Sequence, residues 1–140
     1  MKVHLVKNEK EAIKGYKSIV YSPAKSISNL DLLSDNECDF ILAGNIIDDF
    51  SLNQVGEVIS NLLRKLRING TITIGGTDLR LFCKNVINGL ISESDASELL
   101  KTKQSMTNLN MMLETMKSAG LKIQSSKITG VHYEITAIRS

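Results

Sequence analysis

Hydrophobic and polar positions along this chain follow two periods that take turns. Lys2-Val3-His4-Leu5-Val6 and Lys17-Ser18-Ile19-Val20-Tyr21 alternate as short strands do, and the stretch from Asp39 to Ile47 is an almost unbroken apolar run, as in a strand buried on both faces. From Leu52 the period lengthens. Leu52, Val55, Val58, Ile59, Leu62, Leu63 and Leu66 recur at spacings of three and four, which places them on one stripe of a helix. Ser51 suits its N-cap, and Arg64, Lys65 and Arg67 fall in its last turns, where positive charge complements the helix dipole. The helix is expected to end at Asn69-Gly70, with a β-branched strand over Thr71 to Gly75 directly after it. That order is the signature of a crossover unit. It puts Gly75, Gly76, Thr77 and Asp78 at the carboxyl edge of a parallel sheet, where open α/β sheets bind ligands.

The remaining segments fit the same alternation. Asn8 to Lys14 reads as a helix capped by Asn8 and stopped by Gly15, and Ser22-Pro23 ends the second strand. Ser26 to Asn36 reads as a loop with Leu30, Leu32 and Leu33 turned onto the core. Asp78 is placed to cap a helix running to Leu90, Ser92 to Lys103 forms a short helix or loop, and Thr107 or Asn108 starts a helix that Ala119-Gly120 ends. Leu121 to Ile128 and Val131 to Ile138 flank Thr129-Gly130 as a hairpin. No linker or internal repeat interrupts the chain, so residues 1–140 are expected to form a single domain with a mostly parallel sheet and one antiparallel strand at its end. A chain of this length buries about two-thirds of its unfolded surface.

Composition narrows the chemistry. A net charge of +2 gives no strong nucleic-acid or membrane signal, and no apolar run approaches a spanning length. Cys38 and Cys83 stand far apart without a CxxC, which points to reduced thiols and a cytoplasmic, soluble protein. Two histidines and two cysteines offer no metal-ligand spacing, and neither His4 nor His132 has a nucleophile beside it in sequence, so no metal site and no catalytic residue is assigned. Charge is unevenly placed. Residues 26–63 contain no Lys or Arg but hold Asp31, Asp35, Glu37, Asp39, Asp48, Asp49 and Glu57, which suits either a solvated face or an acidic rim around a cleft for a cationic ligand. Met106, Met111, Met112 and Met116 suit a core or an adaptable partner-binding face.

Several strings in this order resemble those of small class I S-adenosylmethionine-dependent methyltransferases. Gly15-Tyr16-Lys17-Ser18-Ile19-Val20 is similar to the string that carries that family's second strand. Asn29-Leu30-Asp31-Leu32 is similar to its Cys-Asp-Leu segment, and Cys38 through Phe50 to its Val-Asp-Glu-Ile-Tyr-Ala-Ser-His-Val-Leu-Glu-His-Phe segment. Leu66-Arg67-Ile68-Asn69-Gly70-Thr71-Ile72 resembles its Leu-Arg-Pro-Gly-Gly turn, Thr77-Asp78-Leu79 its Pro-Asp-Leu, and Ala119-Gly120-Leu121 through Arg139 its closing hairpin. The resemblance implies an α/β fold, a three-layer Rossmann-like methyltransferase-type sheet, mostly parallel with a C-terminal antiparallel hairpin. It implies S-adenosylmethionine as cofactor, with Asp31, Gly44 and Asn45 lining its cleft and Asp48, Asp49 and Asp78 near a small-molecule, lipid or sugar-linked acceptor.

The chain departs from the pattern at the cofactor. Val6-Lys7-Asn8-Glu9 stands where the family has glycines after strand one, and Val20 where it has the ribose-binding acid. Side chains at Lys7 and Asn8 crowd a backbone approach that glycine leaves open, and Lys7 repels a sulfonium. The missing acid removes on the order of 2–4 kcal/mol of diol binding. Two readings follow. One is a methyltransferase that works by proximity and in-line orientation. The other is a catalytically inactive relative kept as an interaction or structural module, in a homo-oligomer or with a protein partner.

Overall fold

The computed structural model describes residues 1–7, 9–21 and 28–140. Among these residues six strands form one sheet: β1 (Lys2–Val6), β2 (Lys17–Val20), β3 (Cys38–Ala43), β4 (Leu66–Thr77), β5 (Leu121–Thr129) and β6 (His132–Arg139). Their spatial order is β2-β1-β3-β4-β6-β5. The first four are mutually parallel, and β6 runs antiparallel between β4 and β5. The α/β, mostly parallel sheet with a closing antiparallel hairpin is therefore present. The antiparallel strand lies inside the sheet, and β5 forms its edge. Among the described residues four helices accompany the strands: α1 (Leu52–Lys65), α2 (Leu79–Ile87), α3 (Glu93–Lys101) and α4 (Leu109–Ser118). Among the described residues no helix is long and apolar enough to cross a membrane.

Alternation along the strands sorts the side chains into two unlike faces. On the first face the register aligns Val3, Ile41, Ile72 and Ala137 across four strands, and Ile74 with Ile135. All are buried in one cluster with Val55, Val58, Ile59 and Leu62 of α1 and Met112 and Met116 of α4. Each such aliphatic side chain contributes roughly 1.5–3 kcal/mol by leaving water. The Met-rich helix is thus core on its Met112–Met116 side. The second face carries His4, Leu42, Thr73 and Thr136 in register, and its cover among the described residues is thin: three of these four are only half-buried. Tyr16 lies over this face, its ring edge-on to His4 and Phe40.

Element ends differ from the expectations in several places; α2, expected to run to Leu90, ends at Ile87, and β2 ends at Val20 rather than Tyr21. The segment expected to be helical from residue 8 to 14 forms only a 3-10 turn, Glu9–Glu11. Lys10 to Lys14 are all exposed, so no apolar stripe is available to hold a helix on the sheet. The expected cap Asn8 and the Ser22-Pro23 stop lie outside the described residues. β3 ends at Ala43 rather than Ile47, and Ile47–Asp49 turns as a 3-10 helix. α1 ends at Lys65, and Leu66 already pairs with Cys38. The chain then bulges through Asn69, at a left-handed φ of 66°, before Thr71 rejoins Phe40. Arg139 closes the helix end by donating to the carbonyls of Leu63 and Leu66 and, at 2.8 Å, to Asn36 Oδ1. The two carbonyls lie at the C-terminal end of α1, where helix acceptors run short of intrahelical donors. Last, β4 runs on to Thr77, so Gly75 and Gly76 are ladder residues and not a turn.

The other caps match. Gln54 Oε1 accepts from Ser51 N at 3.1 Å, Asp78 Oδ1 accepts from Leu81 N at 3.0 Å, and Asn108 Oδ1 accepts from Met111 N at 2.8 Å. Gly120 follows α4 at φ 92°, as a C-terminal stop requires. Leu30 and Leu33 are buried as expected, whereas Leu32 is 76% exposed. In α1, Gly56 is exposed and a Cβ there would meet nothing within 4 Å. Gly56→Ala is expected to stabilise the protein by about 0.5–1 kcal/mol, because alanine gives the unfolded chain less freedom to lose. A urea midpoint unchanged or lower than that of the parent would contradict this.

Candidate functional site

Strand order reverses at β1, which has β2 on one side and β3 on the other. A sheet wound this way opens a crevice beyond the carboxyl ends of the strands at the reversal. A cavity of about 410 Å³ lies there, walled by His4, Leu5, Lys7, Glu11, Tyr21, Leu42, Gly44, Asn45, Ile46, His132 and Glu134. That volume lies within the range of small-molecule sites. β1 contributes His4 and Leu5, the segment after β3 contributes Gly44 to Ile46, and β6 contributes His132 and Glu134, which share a face at i and i+2.

The hydrogen bonds around the cavity are largely made within the protein. Asp49, at the end of the turn after β3, is buried and holds two partners: Lys7 Nζ lies 2.8 Å from Oδ1, and the Tyr21 hydroxyl donates to Oδ2 at 2.6 Å. Burial and then the Asp49 hydrogen bond push the Tyr21 hydroxyl well above the ordinary tyrosine range, so it stays protonated. His132 Nε2 lies 2.8 Å from the Gly44 carbonyl, which can only accept, so that ring nitrogen carries the proton. Burial pulls His4 below the ordinary histidine value, against the opposing field of Glu11. Its Nδ1 is the one buried side-chain N or O atom without a partner among the described residues. Glu134 pairs loosely with exposed Lys127, at 3.8 Å.

Of the six site residues expected from the sequence, Gly44 and Asn45 line this cavity. Asp31 sits exposed in the 3-10 turn Ser28–Leu32 and is not among the lining residues. Asp49 stands behind the wall, engaged by Lys7 and Tyr21. Asp48 points elsewhere: its carboxylate accepts from Thr77 N at 2.8 Å and Thr77 Oγ1 at 2.6 Å, and pairs with Lys103 at 3.0 Å. The two neighbouring carboxylates therefore have separate partners. Asp78 is buried and caps two helices at once, Oδ1 taking Leu81 N and Oδ2 taking Leu109 N at 2.9 Å. Gly75 and Gly76 face protein rather than ligand. A Cβ on Gly76 would sit 3.0 Å from Asp48 Oδ1, and one on Gly75 would run into backbone on both sides.

Sequence reasoning weighed His4 and His132 and assigned them no role, and it passed over Glu11 and Glu134. The i, i+2 spacing of His132 and Glu134 was readable, but only the insertion of β6 beside β4 brings that pair to the carboxyl edge. Among the described residues no group of three or more His, Cys, Asp or Glu is arranged to hold a metal ion.

Comparison with known proteins bears on the fold. No protein-family model and no curated protein sequence matches the chain. Solved structures do. A SAM-dependent methyltransferase from Archaeoglobus fulgidus superposes with a TM-score of 0.60 at 12% identity, over 96% of this chain and 74% of that one. The PH0226 protein from Pyrococcus horikoshii OT3 gives 0.63 at 13%, over 99% and 72%. The 1,6-didemethyltoxoflavin-N1-methyltransferase of Burkholderia thailandensis, solved with 1,6-didemethyltoxoflavin and S-adenosylhomocysteine, gives 0.58 at 14%, over 89% and 51%. The chain thus spans about half of the Burkholderia enzyme and nearly three-quarters of the other two. Its fold is that of the class I S-adenosylmethionine-dependent methyltransferases.

Proposed function

We propose that this chain is a methyltransferase-fold domain that no longer transfers methyl groups and keeps its carboxyl-edge cavity for a different small molecule. One observation carries the reading. The wall where the fold's cofactor needs bare backbone holds the Lys7 ammonium, fixed to buried Asp49 at 2.8 Å with Tyr21 on the same carboxylate. A sulfonium beside that ammonium meets like charge, in a setting only partly screened by water. Among the described residues at the end of β2 no carboxylate stands in for the diol acceptor: Val20 closes the strand, and the Tyr21 hydroxyl that follows donates to Asp49. Asp31, expected in the cofactor cleft, is not in the lining. Together these features support a cavity that does not seat a nucleoside sulfonium.

Methyl transfer to a small molecule is the second reading. The neighbours favour it, one of them solved with S-adenosylhomocysteine and its acceptor, and so does the position of Gly44 and Asn45 in the cavity wall. A thermal-shift series with S-adenosylmethionine and S-adenosylhomocysteine separates the two. A ligand at a hundredfold its dissociation constant adds about 2.7 kcal/mol of stability. The proposed function expects no shift at millimolar concentrations of either compound. A saturable rise with either would restore the enzyme reading.

A further inference from the structure

Residues 79–102 carry α2 and α3, and the rest of the fold hardly covers them. Of these residues only Phe82 and Ala96 are buried. Leu79, Ile87, Leu90, Leu99 and Leu100 are exposed, and Ile87, at 83%, is the most exposed large aliphatic side chain among the described residues. Aliphatic groups gathered on one outer patch mark an interaction surface. The patch has a hollow and a projection side by side. A groove of about 520 Å³ is lined by Leu90, Ile91 and Leu99 together with Asp95, Glu98 and Thr102. Ile87 stands outside that lining, three residues before Leu90, at the end of α2. Arg80, Lys84 and Ile87 follow one another at i, i+4 and i+7, so they form one stripe of the helix, and all three are exposed.

Charge supplies the second observation. α2 holds Arg80 and Lys84 and no acid, a formal +2. α3 holds Glu93, Asp95 and Glu98 against Lys101, a formal −2. Among the described residues no ion pair joins the two helices. The one pair on either of them is Lys101 with Glu98 at 3.0 Å, largely exposed and of little strength. We propose that the α2–α3 hairpin docks a second copy of this chain across a two-fold axis, with α2 of each copy against α3 of the other. Ile87 of each copy enters the Leu90–Leu99 groove of the other, and Lys84, one turn before it, reaches Asp95 and Glu98. A two-fold contact needs a patch that complements itself. A projection beside a hollow and +2 beside −2 meet that need, whereas a patch of one sign would repel its own copy. The dimer does not depend on what the cavity holds.

Sedimentation equilibrium of the full chain, from micromolar to millimolar concentration at low ionic strength, tests it. A reversible monomer–dimer equilibrium with no larger species is expected, weakened by added salt. Ile87→Glu and Lys84→Glu are each expected to raise the dissociation constant at least tenfold. The melting temperature of the dilute monomer is expected to stay unchanged in both, since both side chains are exposed. Asp95→Lys added to Lys84→Glu is expected to recover at least threefold of the lost affinity, which a merely structural role for either residue would not produce. A monomer at every concentration, assembly beyond the dimer, a dimer indifferent to both single variants, or no recovery in the charge swap overturns the proposal.

Discussion

Asp48→Ala is expected to lower stability by about 3–5 kcal/mol, the cost of removing one member of a buried charged network. The carboxylate is 3% exposed and accepts two hydrogen bonds from one residue, Thr77 N and Thr77 Oγ1. Each hydrogen bond to a charged acceptor contributes roughly 1.5–3 kcal/mol, and an orphaned buried donor costs its desolvation besides. Lys103 adds less, because its side chain is 18% exposed and can turn to water when its partner is gone. The loss is therefore concentrated at the end of β4. The backbone of Asp48 meanwhile accepts from Gln104 N at 2.7 Å, so the residue ties the exit of β3 both to β4 and to the segment after α3. For a domain of this length a drop of that size lowers the melting temperature by roughly 10–17 °C. Asp48→Asn, which keeps one acceptor oxygen, is expected to lose about half as much. Urea unfolding of the two variants checks the prediction, and a loss under about 1 kcal/mol for alanine would refute it.

That role was only partly legible in the sequence, and the reason is physical. Periodicity reports which side of an element meets the core, and here it placed the α1 stripe, the alternation of β6 and the alternating order of strands and helices. Residue type reports local capping, and Ser51, Asp78, Asn108 and Gly120 took the roles their chemistry favours. Neither signal reports a long-range partner. Asp48 and Asp49 read as a pair of adjacent acids, yet their partners lie 29 and 28 residues away, at Thr77 and Tyr21. The apolar run through Ile47 read as strand because apolar content does not separate a ladder from a buried turn. Ile46, Ile47 and Phe50 are fully buried without being in the sheet. The cavity was legible only as a position. Gly44 and Asn45 were implied by the resemblance to methyltransferases, whereas His132 and Glu134 arrive through the insertion of an antiparallel strand, which no local pattern encodes.

The same limit governs the paired glycines of β4, and it yields the second large effect. Gly75→Ala is expected to cost about 3 kcal/mol, at the upper end of the usual range for overfilling a packed site. A Cβ at this position would stand 2.2 Å from the Gly44 carbonyl oxygen and 2.7 Å from that of Tyr133, backbone atoms on the two sides of β4. No rotamer relieves such a contact, so the segment after β3 or β6 has to move. Movement of Gly44 carries further, because its carbonyl holds His132 and its Cα faces Glu134 across the cavity. The substitution is therefore expected to weaken any ligand of the cavity as well as the fold. Gly44→Ala provides the contrast. Its Cβ meets Glu134 Oε1 at 3.5 Å, ordinary van der Waals contact, and its expected cost is below about 1 kcal/mol. The two glycines adjoin the same cavity but answer to different neighbours, one to fixed backbone and the other to a carboxylate that can turn aside. Unfolding of both variants in urea decides the matter. A Gly75→Ala protein as stable as the parent, or a Gly44→Ala protein less stable than Gly75→Ala, would mean that the close approach of β4 to its neighbours does not constrain the cavity.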